Sequence, residues 1–197
     1  MLALGTLLLA ALSATCNSRL ERESPAHSAR DLEAEAYEVY AAVLKWRFGK
    51  AGVERVVIQQ ETEVWPAHEG CLPHGDRLSS VFGDVLQSYK NVNSSPKLIT
   101  KKIPSQLPYQ LMQKAEIEAL FSANGGGWKR FYGLHPNSAG LTTFSAVGFN
   151  AKKTKAIVAL DHGCGSLCGG GRYYVLEKIQ GEWWHTDIDY QSCEWTY

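Results

Sequence analysis

The chain has 197 residues, with 20 Lys plus Arg against 20 Asp plus Glu, so its formal net charge is zero. That balance excludes a field that gathers nucleic acid or anionic lipid, and the length suits one domain with a real core better than two. Six Trp and nine Tyr fit a compact, β-rich body and exclude wholesale disorder.

The opening run MLALGTLLLAALSA is shorter than the ~20 apolar residues that a membrane-spanning helix needs. It has the length of a secretory signal's apolar region and ends in small residues, Ser13, Ala14 and Thr15. No Lys or Arg precedes it. Cys16 follows directly, and LSATC is similar to the box in which a bacterial lipoprotein's cysteine becomes the lipidated first residue, although Thr15 departs from the usual Gly or Ala. The expectation is export: residues 1–15 are a signal peptide or lipoprotein signal, with Cys16 the lipidated position in the second case. The polar stretch from Asn17 to Ala29 has no periodicity, which makes residues 16–30 a flexible tether and 31–197 a single folded domain.

Ser28 with Asp31 three residues on predicts a capped helix start. The helix runs over 32–48 with Tyr37, Tyr40, Leu44 and Phe48 on one stripe, and Gly49 and Gly52 end it. ERVVIQQETEV alternates, predicting a half-buried strand with Val56, Ile58 and Val64 inward and Gln59, Glu61 and Glu63 outward. After the loop AHEGCLPHGD come a helix over 77–89, an edge strand in KLITKKI closed by Pro104, and a helix in QKAEIEALF with Ile117, Leu120 and Phe121 inward. WKRFYGLHPNSAGL reads as irregular, with a turn at His135–Pro136–Asn137. The last third holds four β-rich runs, TTFSAVGFN, KAIVALDH, RYYVLEKI and EWWHTDIDY, joined by short connections as in an antiparallel meander. The expected fold class is α+β, with N-terminal helices packed on a C-terminal antiparallel meander of about four strands. Along the last run, Trp184, Thr186, Ile188 and Tyr190 form the expected core face; Trp183, His185, Asp187 and Asp189 form the other.

Besides Cys16 there are four cysteines: Cys71, Cys164, Cys168 and Cys193. An even number in an exported domain favours disulfides. The preferred pairing is Cys164 with Cys168, since the turn-rich CGSLCGGG can fold back to bridging distance, and Cys71 with Cys193. A zinc site is the competitor. Its donors are His162, Cys164 and Cys168, or His68, Cys71 and His74 in HEGCLPH; a further constellation for metal binding or proton transfer is His185, Asp187 and Asp189 at period two. Neither cysteine cluster has paired C-x2-C knuckles. A redox dithiol usually sits as C-x-x-C at a helix start, whereas here the spacing is C-x-x-x-C between strands. GCGSLCG is not the G-x-S-x-G elbow that would make Ser166 a nucleophile. The glycines at 169–171 lack the Lys-Ser/Thr of a phosphate loop and precede a strand. Lys152, Lys153 and Lys155 read as a solvated hairpin end, and Asp161 and His162, as strand neighbours, face opposite ways.

From Gly140 to Trp184 the chain carries a series of short motifs. They are S-x-V-G-F-N (Ser145 to Asn150), T-x-A-x-V (Thr154 to Val158), C-G-x-L-C-G-x-G (Cys164 to Gly171) and Y-x-L-x-K-x-x-G-x-W (Tyr174 to Trp183). In this it resembles a group of uncharacterised bacterial exported, lipoprotein-like proteins. The resemblance implies export and a C-terminal set of hairpins, and it implies no activity. Cys71 and Cys193 are not part of the pattern.

The functional expectation is a non-enzymatic module, extracytoplasmic as a periplasmic, cell-surface or secreted protein. It binds a protein or cell-envelope component, needs no cofactor, and touches a membrane only through lipid on Cys16. Two alternatives stand beside it: a zinc-dependent hydrolase using the His/Cys or His/Asp donors, and a small-ligand pocket between the helices and the aromatic sheet, with TKKIPSQLPYQL at its lip.

Overall fold

The computed structural model describes residues 32–50, 52–65, 76–186 and 194–197. Among them are four helices, α1 (Ala34–Phe48), α2 (Asp76–Val92), α3 (Lys114–Phe121) and α4 (Gly127–Leu134). The strands are β1 (Arg55–Gln59), β2 (Tyr109–Met112), β3 (Ser138–Phe144), β4 (Gly148–Phe149), β5 (Lys155–Gly165), β6 (Cys168–Ile179), β7 (Glu182–His185) and β8 (Glu194–Thr196). All eight belong to one sheet with the order β2-β1-β3-β5-β6-β7; β4 pairs with β5 and β8 with β6. No described helix is long and apolar enough to cross a membrane.

The α+β class holds, while the expected arrangement needs correction. The sheet is twice the expected size and mixed, because β1 pairs in parallel with both β2 and β3 and the C-terminal strands are antiparallel. The helices do not all precede it: α3 and α4 lie between β2 and β3, as a parallel crossover requires. Helix α1 covers one face, packing on Val56, Ile58, Phe144, Val158, Leu160 and Tyr174. Helix α2 covers part of the other through Phe82, Val85 and Tyr89 against Ile157, Ala159, Tyr173 and Val175. Helices α3 and α4 cover the rest through Ile117, Leu120 and Phe131 against Val57.

This layering explains why β1 is not the half-buried strand expected. Val56, Val57 and Ile58 are all fully buried, since a strand between two parallel neighbours and two helical layers has no wet side. Val64, expected inward, lies beyond the strand and is exposed. The α1 stripe is as expected: Tyr37, Tyr40, Leu44 and Phe48 are all buried. The helix starts after an extended Glu33, and Ser28 lies outside the described residues. Phe121, expected inward, is partly exposed at the end of α3.

KLITKKI does not form an edge strand. Apart from a bridge between Leu98 and Glu61, its amides bond side-chain hydroxyls: Thr100 and Lys101 donate to Tyr37 Oη at 3.0 and 3.1 Å, and Ile103 donates to Tyr109 Oη at 2.8 Å. WKRFYGLHPNSAGL, expected irregular, supplies most of α4 and then enters β3. The turn between them is as expected, with Asn137 at φ 63°.

The β6–β7 connection is the two-residue turn Gln180–Gly181, both residues having positive φ, as in the primed turns that suit strand twist. It pairs Ile179 with Glu182 and so Lys178 with Trp183. Register therefore inverts the expected faces of β7: Trp183 is buried against the α1 layer, and Trp184 is exposed. Trp183 Nε1 donates to Glu35 Oε1 at 2.9 Å, and Lys178 Nζ bonds the same oxygen. Asp187, Ile188, Asp189 and Tyr190 lie outside the described residues.

Candidate functional site

The candidate site is the far end of the β5–β6 hairpin. These are the two longest strands, and their pairing runs unbroken from Lys155–Glu177 to Gly163–Gly169. There the register shifts, and the next pair is Gly165 with Cys168. Cys164 is thus the extra residue of a β-bulge, and two residues of β5 oppose one of β6. The bulge brings Cys164 beside Cys168, at a Cα–Cα separation of 5.0 Å, and their sulfurs are joined. Only Ser166 and Leu167 remain in the turn, and Leu167 is 94% exposed.

The glycines behind the staple have a geometric purpose. Gly169 and Gly171 lie on one face of β6, and the rings of Trp195 in β8 and of Tyr197 just after it lie across them. A Cβ on Gly169 would collide with the Tyr197 ring, and one on Gly171 with the Trp195 indole. With no side chain between, both rings reach over β6 to Asp161 on β5. Trp195 Nε1 donates to Oδ1 at 2.6 Å, and Tyr197 Oη donates to Oδ2 at 2.7 Å. Burial, reinforced by the neighbouring Asp161 carboxylate, pushes the Tyr197 phenol above its usual range, so it stays protonated and donates. Helix α4 braces the same end: Tyr132 Oη donates to the Cys164 carbonyl at 2.9 Å, and the Trp128 ring lies over Gly163.

His162 belongs to the opposite layer, as expected from its place beside Asp161. It is buried, its Nδ1 is 3.0 Å from Thr142 Oγ1, and its ring meets Phe48 edge-on at 5.0 Å. Burial, aided by the Arg47 charge, pushes its pKa down to about 4, so it is a neutral packing residue at pH 7.

Among the described residues no three His, Cys, Asp or Glu side chains come together as metal donors. Cys164 and Cys168 are bonded to each other and are not the separate thiolates that zinc takes. The His185 ring lies tilted against Trp46 at 4.7 Å and meets Tyr174 edge-on at 5.6 Å; its expected partners Asp187 and Asp189 lie outside the described residues. So do Cys16, Cys71 and Cys193, with His68 and His74. The joined thiols are those expected from the spacing of Cys164 and Cys168, whereas the clamp on Asp161 is not expected from the sequence. The available signal was two period-two patterns, Gly169 with Gly171 and Trp195 with Tyr197, which pair when a glycine strand lies beside an aromatic one.

Comparison of the chain with protein-family models, curated proteins and solved structures gave no match.

Proposed function

We propose that the chain is an extracytoplasmic, non-enzymatic binding module of the exported, lipoprotein-like kind, and that its docking element is the stapled tip of the β5–β6 hairpin. The observation that carries this reading is Leu167: a large apolar side chain almost wholly in water, at the end of a hairpin closed by a disulfide and clamped by Trp195, Tyr197 and Tyr132. Single exposed aliphatics are ordinary, but one on a rigid tip is preordered, so docking forfeits little conformational entropy. Its partner is a protein or envelope component with an apolar pocket. The staple also supports export, because such bonds persist in oxidising compartments.

The test is photo-crosslinking in intact cells, with a benzophenone amino acid at position 167 or, as control, at Lys152 near the hairpin's other end. A discrete adduct from 167, absent from 152 and weakened in Cys168→Ser, is the expected result. Equal labelling from both positions, or quantitative alkylation of Cys164 and Cys168 in the unreduced protein, would refute the reading.

A further inference from the structure

At β4 the start of α1 and the end of α2 meet round a cavity of about 260 Å³, at the opposite end of the β5–β6 hairpin from the staple. A Cβ on Gly148 would stand 2.5 Å from Tyr89 Cα, so α2 lies directly on β4. The deep lining is apolar: Leu32 and Ala36 from α1 and its approach, with Ala146, Val147 and Phe149, are all buried. Val92 and Ser88 of α2 complete it. Ala36, Ala146 and Ala151 leave space that larger side chains would fill. The mouth is in water, since Glu33, Ala151 and Lys153 are exposed. TKKIPSQLPYQL, expected at the lip of such a pocket, lines no part of this one.

Size and lining set the ligand's body. An apolar cavity of ~150 Å³ already admits benzene, and drug-sized ligands occupy pockets of about 300 Å³ or more. A short alkyl chain falls between them, and its burial against Val147 and Phe149 supplies the affinity. Charge sets the head group. The lining carries two ammonium groups, Lys97 and Lys153, against one carboxylate, Glu33. Glu35 also acts on Lys153, but it is neutralised by its ion pair with Lys178. The excess is positive, which selects an anion. Lys153 Nζ meets Glu33 Oε2 at 2.5 Å and has further donors to give. That pair is about half exposed on both sides, so sharing its ammonium with a second carboxylate forfeits little. Ser88 Oγ accepts from the Phe149 amide at 3.1 Å and retains its own proton to donate.

We propose that this cavity binds a short-chain aliphatic carboxylate, with the alkyl chain against Val92, Val147 and Phe149 and the head group at Lys153. This goes beyond the hairpin reading and does not depend on it.

Octanoate is the probe, titrated below its micellar concentration into the full chain and followed through valine methyl signals. Val92 and Val147 are assigned with Val92→Ile and Val147→Ile. A saturable shift of both is expected, with an apparent Kd on the order of 1 mM or tighter. The Kd should rise roughly tenfold or more in Ala151→Trp, which places a ring across the mouth from an exposed turn position; the other methyl signals, kept in place, report folding. It should rise roughly fivefold in Lys153→Asn, whose side chain tolerates the left-handed backbone at φ 51°. It should fall in Glu33→Gln, which leaves the ammonium to the ligand. Octylammonium and octanol should each bind more weakly than octanoate, roughly fivefold or more. The proposal is overturned by no saturable shift, by an affinity unmoved in Ala151→Trp or in Lys153→Asn, or by octylammonium binding as tightly as octanoate. A crystal structure grown with octanoate in which residues before Leu32 fill the cavity would overturn it equally.

Discussion

The indole N–H of Trp195 donates to Asp161 Oδ1 at 2.6 Å by crossing β6 at Gly171, where no side chain stands between them. The carboxylate thereby fixes β8, a three-residue strand with little pairing of its own, to the centre of the sheet. Asp161→Ala removes two charge-assisted hydrogen bonds; for a partly exposed acceptor this costs about 2 kcal/mol. Asp161→Asn keeps one good acceptor and costs about half as much. Gly171→Ala acts from the other side, placing a methyl where the Trp195 ring lies. All three should lower the urea midpoint and speed hydrogen exchange at the Trp195 and Tyr197 amides while leaving exchange in α1 unchanged. Normal protection of those amides in Asp161→Ala would show that the clamp does not hold β8.

The staple acts mainly on the unfolded chain. Closing so small a ring contributes about 2 kcal/mol by chain entropy. In a domain of this size that corresponds to a fall in Tm of roughly 4–8 °C for Cys164→Ser/Cys168→Ser. The hairpin should survive, because its strands pair over ten positions and its bulge keeps the hydrogen bond from Tyr132. Scanning calorimetry of oxidised and reduced protein checks the magnitude. Equal melting temperatures would leave the disulfide no stabilising role.

How far the sequence disclosed this molecule depended on whether a pattern had one solution. The α1 stripe from Tyr37 to Phe48 has a single helical reading, and Cys164 and Cys168 flank a turn too short for any other local pairing. β1 was misread because its parallel partner β2 lies about fifty residues away, so nothing local announces that both faces are covered. α4 is hard to read because it follows Gly125 and Gly126, opens with Gly127 and contains Gly133, poor helix formers; it is held by burial of Phe131 and by the packing of Trp128. In β7 the adjacent Trp183 and Trp184 fit either face equally, and a slip of one residue flips every side chain. The Gln180–Gly181 turn decides between them, and Trp183 goes in.

Glu35 ties the first helix to the last hairpin by accepting from both Lys178 and Trp183. The Lys178 hydrogen bond, with help from Trp183, holds its carboxyl below the usual carboxylate range despite the opposing effect of burial. The stability it supplies is therefore complete above the ordinary Glu pKa and is lost as pH falls through the lower folded value. Glu35→Gln should cost about 1 kcal/mol at pH 7 and flatten the acid limb of the stability curve. Denaturant melts of both proteins between pH 7 and pH 3 check this; parallel curves would mean that Glu35 is not held in its charged form.

His162 gives a pH dependence of different origin. Its folded pKa of about 4 lies below the ordinary histidine value of 6.5, so between those two pH values the unfolded chain binds a proton that the folded chain refuses. Stability must then rise with pH across that window and level off above it. The contribution is complete above pH 6.5 and is lost as pH falls toward 4, amounting to about 3 kcal/mol over the whole range. His162→Gln keeps a polar group facing Thr142 and removes the proton, so its stability should fall less steeply than that of the parent between pH 6.5 and 4, even if it is lower at pH 7. The ring proton shifts of His162 report the same thing directly and should stay constant from pH 8 to pH 5. A midpoint near 6.5 would mean that the imidazole is hydrated and that the Phe48 contact does not seal it from water.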